Sequence, residues 1–306
     1  MTVSDWRAGD AALLAPLYAA EAARWRHDLL WETSPTWACI EDARRTGALP
    51  GFIATGADGR VRGWSYHLRH GDQVQVGGLV SSSREVTAKL LDAVWTSPEA
   101  QSASGALLFG PFDAPGLAGE LAVRGVAVER YRYLVRALSC EANPDPTRPA
   151  GPRGWRPADL SKLASLLAQT YGPDRSRPFA PGGRVADWIE YLAQLLGTTA
   201  CGAFAPALSA VTPDPSGNLD GVALVTRLAA TTAHLAQLAV RPDAQAGGLG
   251  SSLLAEVMAR SASAGYRTLT LLVSESNTRG GRLYERCGFT EIAAFLSGSI
   301  QHPVSE

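Results

Sequence analysis

Five prolines and two glycines crowd the segment from Asn143 to Pro157: Pro144, Pro146, Pro149, Pro152 and Pro157, with Gly151 and Gly154. Proline fixes φ and removes an amide donor, so such a stretch continues neither a helix nor a central strand and reads as an extended, semi-rigid spacer. It divides a chain of 306 residues into two pieces, each of ordinary domain size at roughly 100–200 residues. The expected organisation is a domain over 1–142, a linker over 143–153 and a second domain over 154–306. Both pieces open alike. Trp6-Arg7-x-x-Asp10 precedes Leu13, Leu14, Leu17 and Tyr18, and Trp155-Arg156-x-x-Asp159 precedes Leu160, Leu163, Leu166 and Leu167. Asp10 and Asp159 stand where an N-cap would satisfy the first free amides of the helix that follows. The recurrence points to an internal duplication.

The order of elements supports it. In the second piece, helical spacing covers Leu160–Tyr171 and Val185–Leu196, and strand-like runs over Gly202–Val211 and Leu219–Arg227 flank the turn-forming Pro213-Asp214-Pro215-Ser216-Gly217-Asn218. A strand over Ala233–Val240 comes next, then a glycine-rich turn and a helix carrying Leu249, Leu253, Leu254, Val257 and Met258, stopped by Gly265. A strand over Thr268–Val273, a short helix ending near Gly288 and a last strand from Phe289 complete it. The first piece follows the same order from Gln73–Val80 onward: a helix with Val86, Leu90, Leu91 and Val94, a strand Ala106–Phe109, a helix about Leu117–Val123 and a strand about Tyr131–Leu138. The fold class is therefore mixed α/β. Gly125 and Gly288 each precede a last strand 163 residues apart, against 149 for Trp6 and Trp155, so the second piece has gained 14 residues between matching points.

Composition narrows the function classes. Hydrophobic residues make up 46% and charged residues 19%, enough to bury two cores and far from compositional disorder. With 28 basic against 29 acidic residues the net charge is -1, which argues against nucleic-acid or anionic-membrane partners. No apolar run approaches the roughly 18 residues of a membrane span, and the N-terminus, with Asp5 and Asp10 ahead of a modest apolar run, lacks the pattern of a signal peptide. Cys39, Cys140, Cys201 and Cys287 are scattered with no C-x-x-C, so neither a disulfide scaffold nor a zinc site is expected, and a cytoplasmic location fits. His67 and His70 lie three apart with no third ligand near, and read as a solvated strand end; no metal is expected. Trp25, Trp31, Trp37 and Trp64 read as core or cleft-lining side chains.

The chemistry concentrates where the strand ending Leu238-Ala239-Val240 runs into Gln245-Ala246-Gly247-Gly248-Leu249-Gly250-Ser251 and a helix begins at once. Successive backbone amides and the positive helix end then face one concavity, an anion cradle. Glycine serves because a β-carbon would hold a phosphate away from the main chain and because the turn needs unusual backbone angles. The dinucleotide pattern G-x-G-x-x-G fails, since Leu253 stands in its third position, and no Gly-Lys-Ser/Thr of a Walker loop is present.

From Gly154 to Ile300 the chain resembles the Gcn5-related N-acetyltransferase (GNAT) superfamily. Three linked motifs carry the resemblance: the strand into Gln245-x-x-Gly248-x-Gly250, Asn277 on a loop, and Leu283-Tyr284 leading into Tyr284-x-x-x-Gly288-Phe289. The resemblance implies two tandem GNAT-like domains, each a central mixed, mostly antiparallel sheet flanked by helices. It implies acetyl-CoA as co-substrate. The amides of Ala246, Gly247, Gly248, Leu249, Gly250 and Ser251 would hold its pyrophosphate, Leu238, Ala239 and Val240 would pair with the pantetheine arm, and an amide of that strand would polarise the thioester carbonyl. Tyr284, a phenol with a reference pKa near 10, would protonate the departing thiolate, whose thiol lies near 8.5. Asn277 would orient the pantetheine or the loop backbone; the alternative is a plain turn residue.

Two departures from the family pattern matter. Gly280 replaces an alanine common after the Asn. Ala236 and Gln237 stand where many members carry a strand glutamate that serves as base. His234, even-numbered like Ala236, Leu238 and Val240, falls on their face by the period of two and is the candidate base, against the alternative of a core or cleft-lining histidine. In the first piece Gln73–Val80 runs through Ser81-Ser82-Ser83-Arg84 into its helix without the glycine pattern, so the first domain is expected to be a degenerate copy that walls the acceptor cleft or mimics a dimer partner. Asp174, Arg175 and Arg177, between Tyr171 and Phe179, could hold a substrate carboxylate or phosphate, or be merely solvated.

The resulting expectation is an acetyl-CoA-dependent N-acetyltransferase acting on a small-molecule amine by direct transfer through a ternary complex, as a monomer or homodimer. Mycothiol-synthase-like and natural-product or antibiotic-modifying acetyltransferases are alternatives within the class. A non-catalytic acyl-CoA-binding regulator or a GNAT-fold decarboxylase is the alternative outside it.

Overall fold

The computed structural model describes residues 1–70, 73–102, 106–112, 114–139, 151–172, 183–197, 201–245 and 247–301. The first half runs β1 (Thr2–Asp5), α1 (Ala11–Asp28), α2 (Ser34–Arg45), β2 (Gly51–Thr55), β3 (Val61–His70), β4 (Gln73–Ser81), α3 (Arg84–Trp95), α4 (Pro98–Gln101), β5 (Ala106–Phe112), α5 (Leu117–Val123) and β6 (Ala127–Ala137). The second runs β7 (Arg153–Gly154), α6 (Leu160–Tyr171), α7 (Val185–Gly197), β8 (Ala203–Phe204), β9 (Ala210–Pro213), β10 (Leu219–Ala229), β11 (Thr232–Val240), α8 (Leu249–Ser263), β12 (Thr268–Ser274), α9 (Thr278–Arg286) and β13 (Thr290–Gln301). The linker residues 141–150 lie outside the described residues.

All these strands form one sheet, in the order β1-β2-β3-β4-β5-β13-β6-β12-β11-β10-β9-β7, with β8 beside β10. Read from either end, the order is the same duplicated unit. The last strand of each half has crossed into the other: β13 lies antiparallel to β5, and β6 lies antiparallel to β12 from Tyr131↔Ser274 to Ala137↔Thr268. At the centre β6 and β13 pair with each other around Tyr131↔Phe295, so a pseudo-twofold axis passes between them. Neither half's sheet is complete without the other's strand. Each half carries a core on both sheet faces: in the first, α3 and α5 cover one and α1 and α2 the other; in the second, α8 covers one and α6 and α7 the other.

The duplication extends to an irregularity. In β11 the register with β10 jumps from Leu224↔Gln237 to Val225↔Leu235, leaving Ala236 as a bulge. In β4 the register with β3 jumps from Tyr66↔Gly78 to His67↔Val76, leaving Gly77 as the matching bulge 159 residues earlier. An extra residue inverts side-chain alternation. Ala233 and Leu235 ahead of the bulge, and Leu238 and Val240 after it, therefore all pack on the α8 side, while Ala239 packs on the α6–α7 side. The expectation that His234 shares a face with Leu238 and Val240 is thereby corrected; the bulge at Ala236 breaks the period of two. The offset between halves has grown from 149 to 159 by this point, so ten of the fourteen extra residues precede β11.

Three smaller expectations change. The run Gly202–Val211 is not one strand, because Pro206 interrupts it and Ala205–Ser209 makes a turn, with the Leu208 amide donating to the Ala205 carbonyl at 3.0 Å. Asp159 does not cap α6. Its carboxylate accepts from Arg153 at 2.7 and 2.8 Å and from the Arg156 amide at 2.9 Å, whereas Asp10 does cap α1 through the Ala12 amide at 2.9 Å. His67 is buried rather than solvated, stacked on Phe52, with Nε2 3.5 Å from Glu99; the side chain of His70 lies outside the described residues.

Candidate active site

β11 and β12 run parallel and hydrogen-bonded only from Thr232↔Thr268 to Leu235↔Leu271. Beyond Leu235 they diverge, and the bulge at Ala236 lies at the fork. The edge of β11 from Gln237 to Val240 then faces open space, while its other edge stays paired with β10. β4 and β5 separate in the same way past Val76↔Phe109.

At the far end of the fork the chain turns through Gly248, whose φ of +79° is the left-handed conformation that glycine adopts without strain. No side chain caps α8. The amides of Leu249, Gly250 and Ser251 occupy its first turn, where an α-helix supplies no acceptor, and a β-carbon at Gly248 would meet nothing within 4 Å. Free amides, a helix N-terminus and open space in front fit an anion such as a pyrophosphate. Gln245 braces this turn, donating from Nε2 to the Val240 carbonyl at 2.9 Å and accepting from Arg279 of α9 at Oε1. Ala246 lies outside the described residues, as do Asp174, Arg175 and Arg177.

α9 brings up the third wall. Asn277 is its N-cap, its Oδ1 accepting from the Gly280 amide at 2.9 Å. A β-carbon at residue 280 would lie 2.8 Å from Asn277 Nδ2, which accounts for glycine there. The turn-residue reading of Asn277 is the one its contacts express, through a cap worth about 1 kcal/mol. Tyr284 is buried, lines the cavity and has no protein partner for its hydroxyl among the described residues. Burial raises its phenol above the ordinary value, so it stays protonated.

His234 pairs in register with Thr270, and its Nδ1 lies 2.9 Å from Thr270 Oγ1. Thr270 in turn faces the Ala233 carbonyl at 3.3 Å, an acceptor with no proton to offer. This run of hydrogen bonds assigns the proton of His234 to Nδ1 and leaves the Nε2 lone pair free at the cavity wall. Burial pulls the imidazole down to about 4. Gln237, after the bulge, accepts from Tyr171 at 2.8 Å and donates to Tyr191 at 2.7 Å, fixing α6 and α7 against the fork.

These groups border a single cavity of about 1160 Å³ that reaches from Gly248 and Ser251, past Leu238, Gln237 and Tyr284, to a wall built by the first half. Trp25, Trp31, Trp37 and Trp64 all line it, so the cleft-lining reading of the tryptophans holds, with Trp64 also fully buried. The first half grips the second beside this site. Glu32 donates its amide to Leu228 of β10 at 3.0 Å, and Arg132 of β6 holds Glu285 of α9 and Glu291 of β13, each at 2.8 Å; within the first half, Tyr133 of β6 donates to the Leu29 carbonyl at 3.0 Å. Sequence reasoning missed Tyr133 as a member of the site, because only the strand exchange brings it there.

Residues 174–289 match the model of the acetyltransferase (GNAT) family. The match lies wholly within the second half, which is the part of the chain similar to that family. Solved structures agree on the fold across the whole length. A GCN5-related N-acetyltransferase from Sphaerobacter thermophilus superposes with a TM-score of 0.67 at 16% identity, covering 98% of this chain and 95% of that one. A tandem GNAT protein from the clavulanic acid biosynthesis pathway superposes with a TM-score of 0.55 at 16% identity, covering 85% and 84%. A glucosamine N-acetyltransferase region of a fungal multi-domain β-N-acetylglucosaminidase gives 0.65 at 14% identity, covering 98% of this chain and 38% of that one. No curated protein matches the chain. The GNAT fold goes with acyl transfer from an acyl-CoA donor in general. Among the described residues no helix is long and apolar enough to cross a membrane, and no group of three or more His, Cys, Asp or Glu could hold a metal ion.

Proposed function

We propose that the chain is an acetyl-CoA-dependent N-acetyltransferase that acetylates a small-molecule amine directly, in a ternary complex. The observation that carries this is the continuity of the cavity. At about 1160 Å³ it exceeds the roughly 300–1,000 Å³ of a site for one ligand, and its two ends differ in chemistry: free amides at α8, aromatic rings at the first half. Residues 154–306 supply the donor side, 1–142 the acceptor wall, and 143–153 the connection.

Acetyl-CoA supplies the activated acetyl thioester. The amides from Ala246 to Ser251 hold its pyrophosphate, with Gly247 and Gly248 allowing close approach, and the open edge of β11 at Leu238, Ala239 and Val240 pairs with its amide-bearing arm. Gln245 and Asn277 hold the turn and α9 in shape. In the overall exchange a C–N bond forms, a C–S bond breaks and one proton passes from nitrogen to sulfur. Tyr284 holds a proton and donates a hydrogen bond toward the sulfur; because its pKa lies above that of a thiol near 8.5, it stabilises the developing thiolate rather than surrendering its proton at equilibrium.

His234 takes a narrower role than that of a base. Moving a proton from an alkylammonium near pKa 10 to an imidazole at about 4 is uphill by about 8 kcal/mol. The amine therefore enters as its neutral form, about one molecule in a thousand at pH 7, and the Nε2 lone pair accepts a hydrogen bond from it.

Calorimetric titration of the full chain with acetyl-CoA tests the reading. One site per chain is expected, lost in Gly248→Val, where a β-branched side chain cannot hold φ +79°. Two sites would mean that the fork of β4 and β5 also binds donor, and no site would sink the proposal. Acetyl-CoA bound but never consumed with any amine would favour the acyl-CoA-binding regulator instead.

A further inference from the structure

We infer that the acceptor is a single amine carried on a flat apolar body, bound against the indole wall of the first half, and not a polycation such as a polyamine, an aminoglycoside or a lysine-rich tail. The inference deepens the reading above and rests on it for the transfer step only; the binding surface stands on its own geometry.

Three observations carry it. The first is the disposition of the indoles. Trp25 and Trp31 meet edge to face at 5.1 Å, and Trp31 stacks on His234 at 6.0 Å, so the aromatic wall runs directly up to the free Nε2. Trp25 spends its N–H on Glu21 at 2.7 Å and Trp37 spends its own on Thr33 at 3.0 Å. Their polar edges are thus satisfied within the protein, and both rings stay only half-buried while bordering the cavity. What they offer a ligand is carbon surface and π faces, which bind flat apolar groups and a single cation.

The second is charge. Glu21 is the one carboxylate among the described residues lining the cavity, and it is already engaged by Trp25 and by Arg24 at 2.7 Å. The charged groups that line the cavity beside it, Arg24, Arg279 and Arg286, are positive. A polycation would enter with several ammonium groups, find no free carboxylate among the described lining residues and meet like charge. A single amine needs only the Nε2 acceptor and the π faces.

The third is backbone cost. Leu30 has a φ of +56°, the one positive φ outside glycine among the described residues. A left-handed leucine is uncommon and costs free energy. It sits where α1 ends, and it turns the chain so that Trp31 reaches His234 while Glu32 pairs with β10. The strain is located where it presents an indole to the cavity.

The test is a titration of the full chain, with 2-phenylethylamine as probe and spermidine and kanamycin as polycationic comparators, read by indole fluorescence and by release of CoA thiol. We expect saturable quenching by 2-phenylethylamine, and a kcat/KM for it at least about tenfold above either polycation, the size of one desolvated aromatic contact. Trp31→Leu is expected to weaken the amine about tenfold while leaving the calorimetric affinity for acetyl-CoA unchanged. Should that variant not fold, the ranking of the three amines on the unaltered chain decides alone. Spermidine or kanamycin acetylated with 2-phenylethylamine inert would overturn the inference, as would a Trp31→Leu protein with unaltered amine affinity. The two readings fail separately: quenching by 2-phenylethylamine without acetyl-CoA binding removes the transferase and keeps the acceptor surface, and acetyl-CoA binding without quenching does the reverse.

Discussion

His234 ties stability to pH in a way the structure makes quantitative. Its side chain is 7% exposed, its Nδ1 is committed to Thr270, and burial lowers the imidazole from 6.5 to about 4. The unfolded chain therefore binds a proton at this site between about pH 6.5 and 4 that the folded chain refuses. Stability from the neutral imidazole is fully present above 6.5 and is lost as pH falls toward 4. Between pH 7 and pH 5 the linkage relation gives a loss of about 2 kcal/mol from this one group. Replacing it by a side chain that does not titrate, His234→Gln, removes that dependence whatever the substitution costs at neutral pH. With an unfolding entropy of roughly 2.1 cal/mol/K per residue, 2 kcal/mol on a chain of this length is about 3 °C in Tm. Thermal melts of both proteins at pH 7 and pH 5 supply the assay: the drop in Tm should be about 3 °C larger for the unaltered chain. His67 is also lowered by burial, and it and the carboxylates are common to both proteins, so they cancel in the difference. Equal drops would show that His234 is solvated in solution and would refute the argument. Because the amine enters neutral, kcat/KM falls about tenfold per pH unit below the amine's pKa near 10; protonation of His234 adds a second bend near 4, and a second bend near 6.5 would again mean a solvated imidazole.

Tyr284→Phe removes the phenol assigned to the sulfur in the proposed reaction and is expected to lower kcat by about 10²-fold with no change in acetyl-CoA affinity by calorimetry; retained turnover would remove the phenol from the reaction. Arg132→Met unties β6 from Glu285 and leaves Glu291 with Arg130; because these pairs are partly exposed the stability cost should stay near 1 kcal/mol, while kcat falls more than acetyl-CoA affinity as α9 loosens. Gly78→Ala would place a β-carbon 2.4 Å from Tyr66 and 2.8 Å from Trp64, an overpacking worth about 1–3 kcal/mol, visible in Tm. Adding Tyr66→Leu, which reproduces the leucine found opposite Gln237 in the other half, should recover most of it.

Local elements were legible because local rules govern them. Helical spacing placed α6 at Leu160–Tyr171 to the residue, and alternation placed β12 within one. The glycine turn was legible because Gly248 needs an angle that few residues adopt. What stayed hidden is non-local. No period in Tyr131–Leu138 shows that this strand completes the sheet of the other half, because a strand that crosses over and a strand that stays have the same pattern. The bulge at Ala236 hid for a related reason. It is defined by what lies opposite on β10, and counting by twos along β11 carried His234 to the wrong face. For the indoles of α1 and the following turn, the sequence left core and cleft open, because the cavity they border is shared with the other half.

The duplicated fork also shows how the two halves differ around it. Both halves retain the parallel pair that separates and the bulge beside it, at Gly77 and at Ala236. In the second half Leu224 stands opposite Gln237, and the glutamine reaches across to Tyr171 and Tyr191. In the first, Tyr66 stands opposite Gly78, and its ring packs on the main chain of both Gly77 and Gly78 and stacks on Trp6 and Trp64. Aromatic carbon narrows the space along β4, whose residues Gln75 to Val80 border the cavity. The helix after it opens on Ser83, whose hydroxyl caps the Val86 amide and so consumes a donor that α8 leaves free. The first half thus lines its own fork with rings, and those same rings, Trp64 and Tyr66 with Trp37, face the one cavity that both forks border. Rings along one fork and uncapped amides at the end of the other give the shared cavity two chemically different ends.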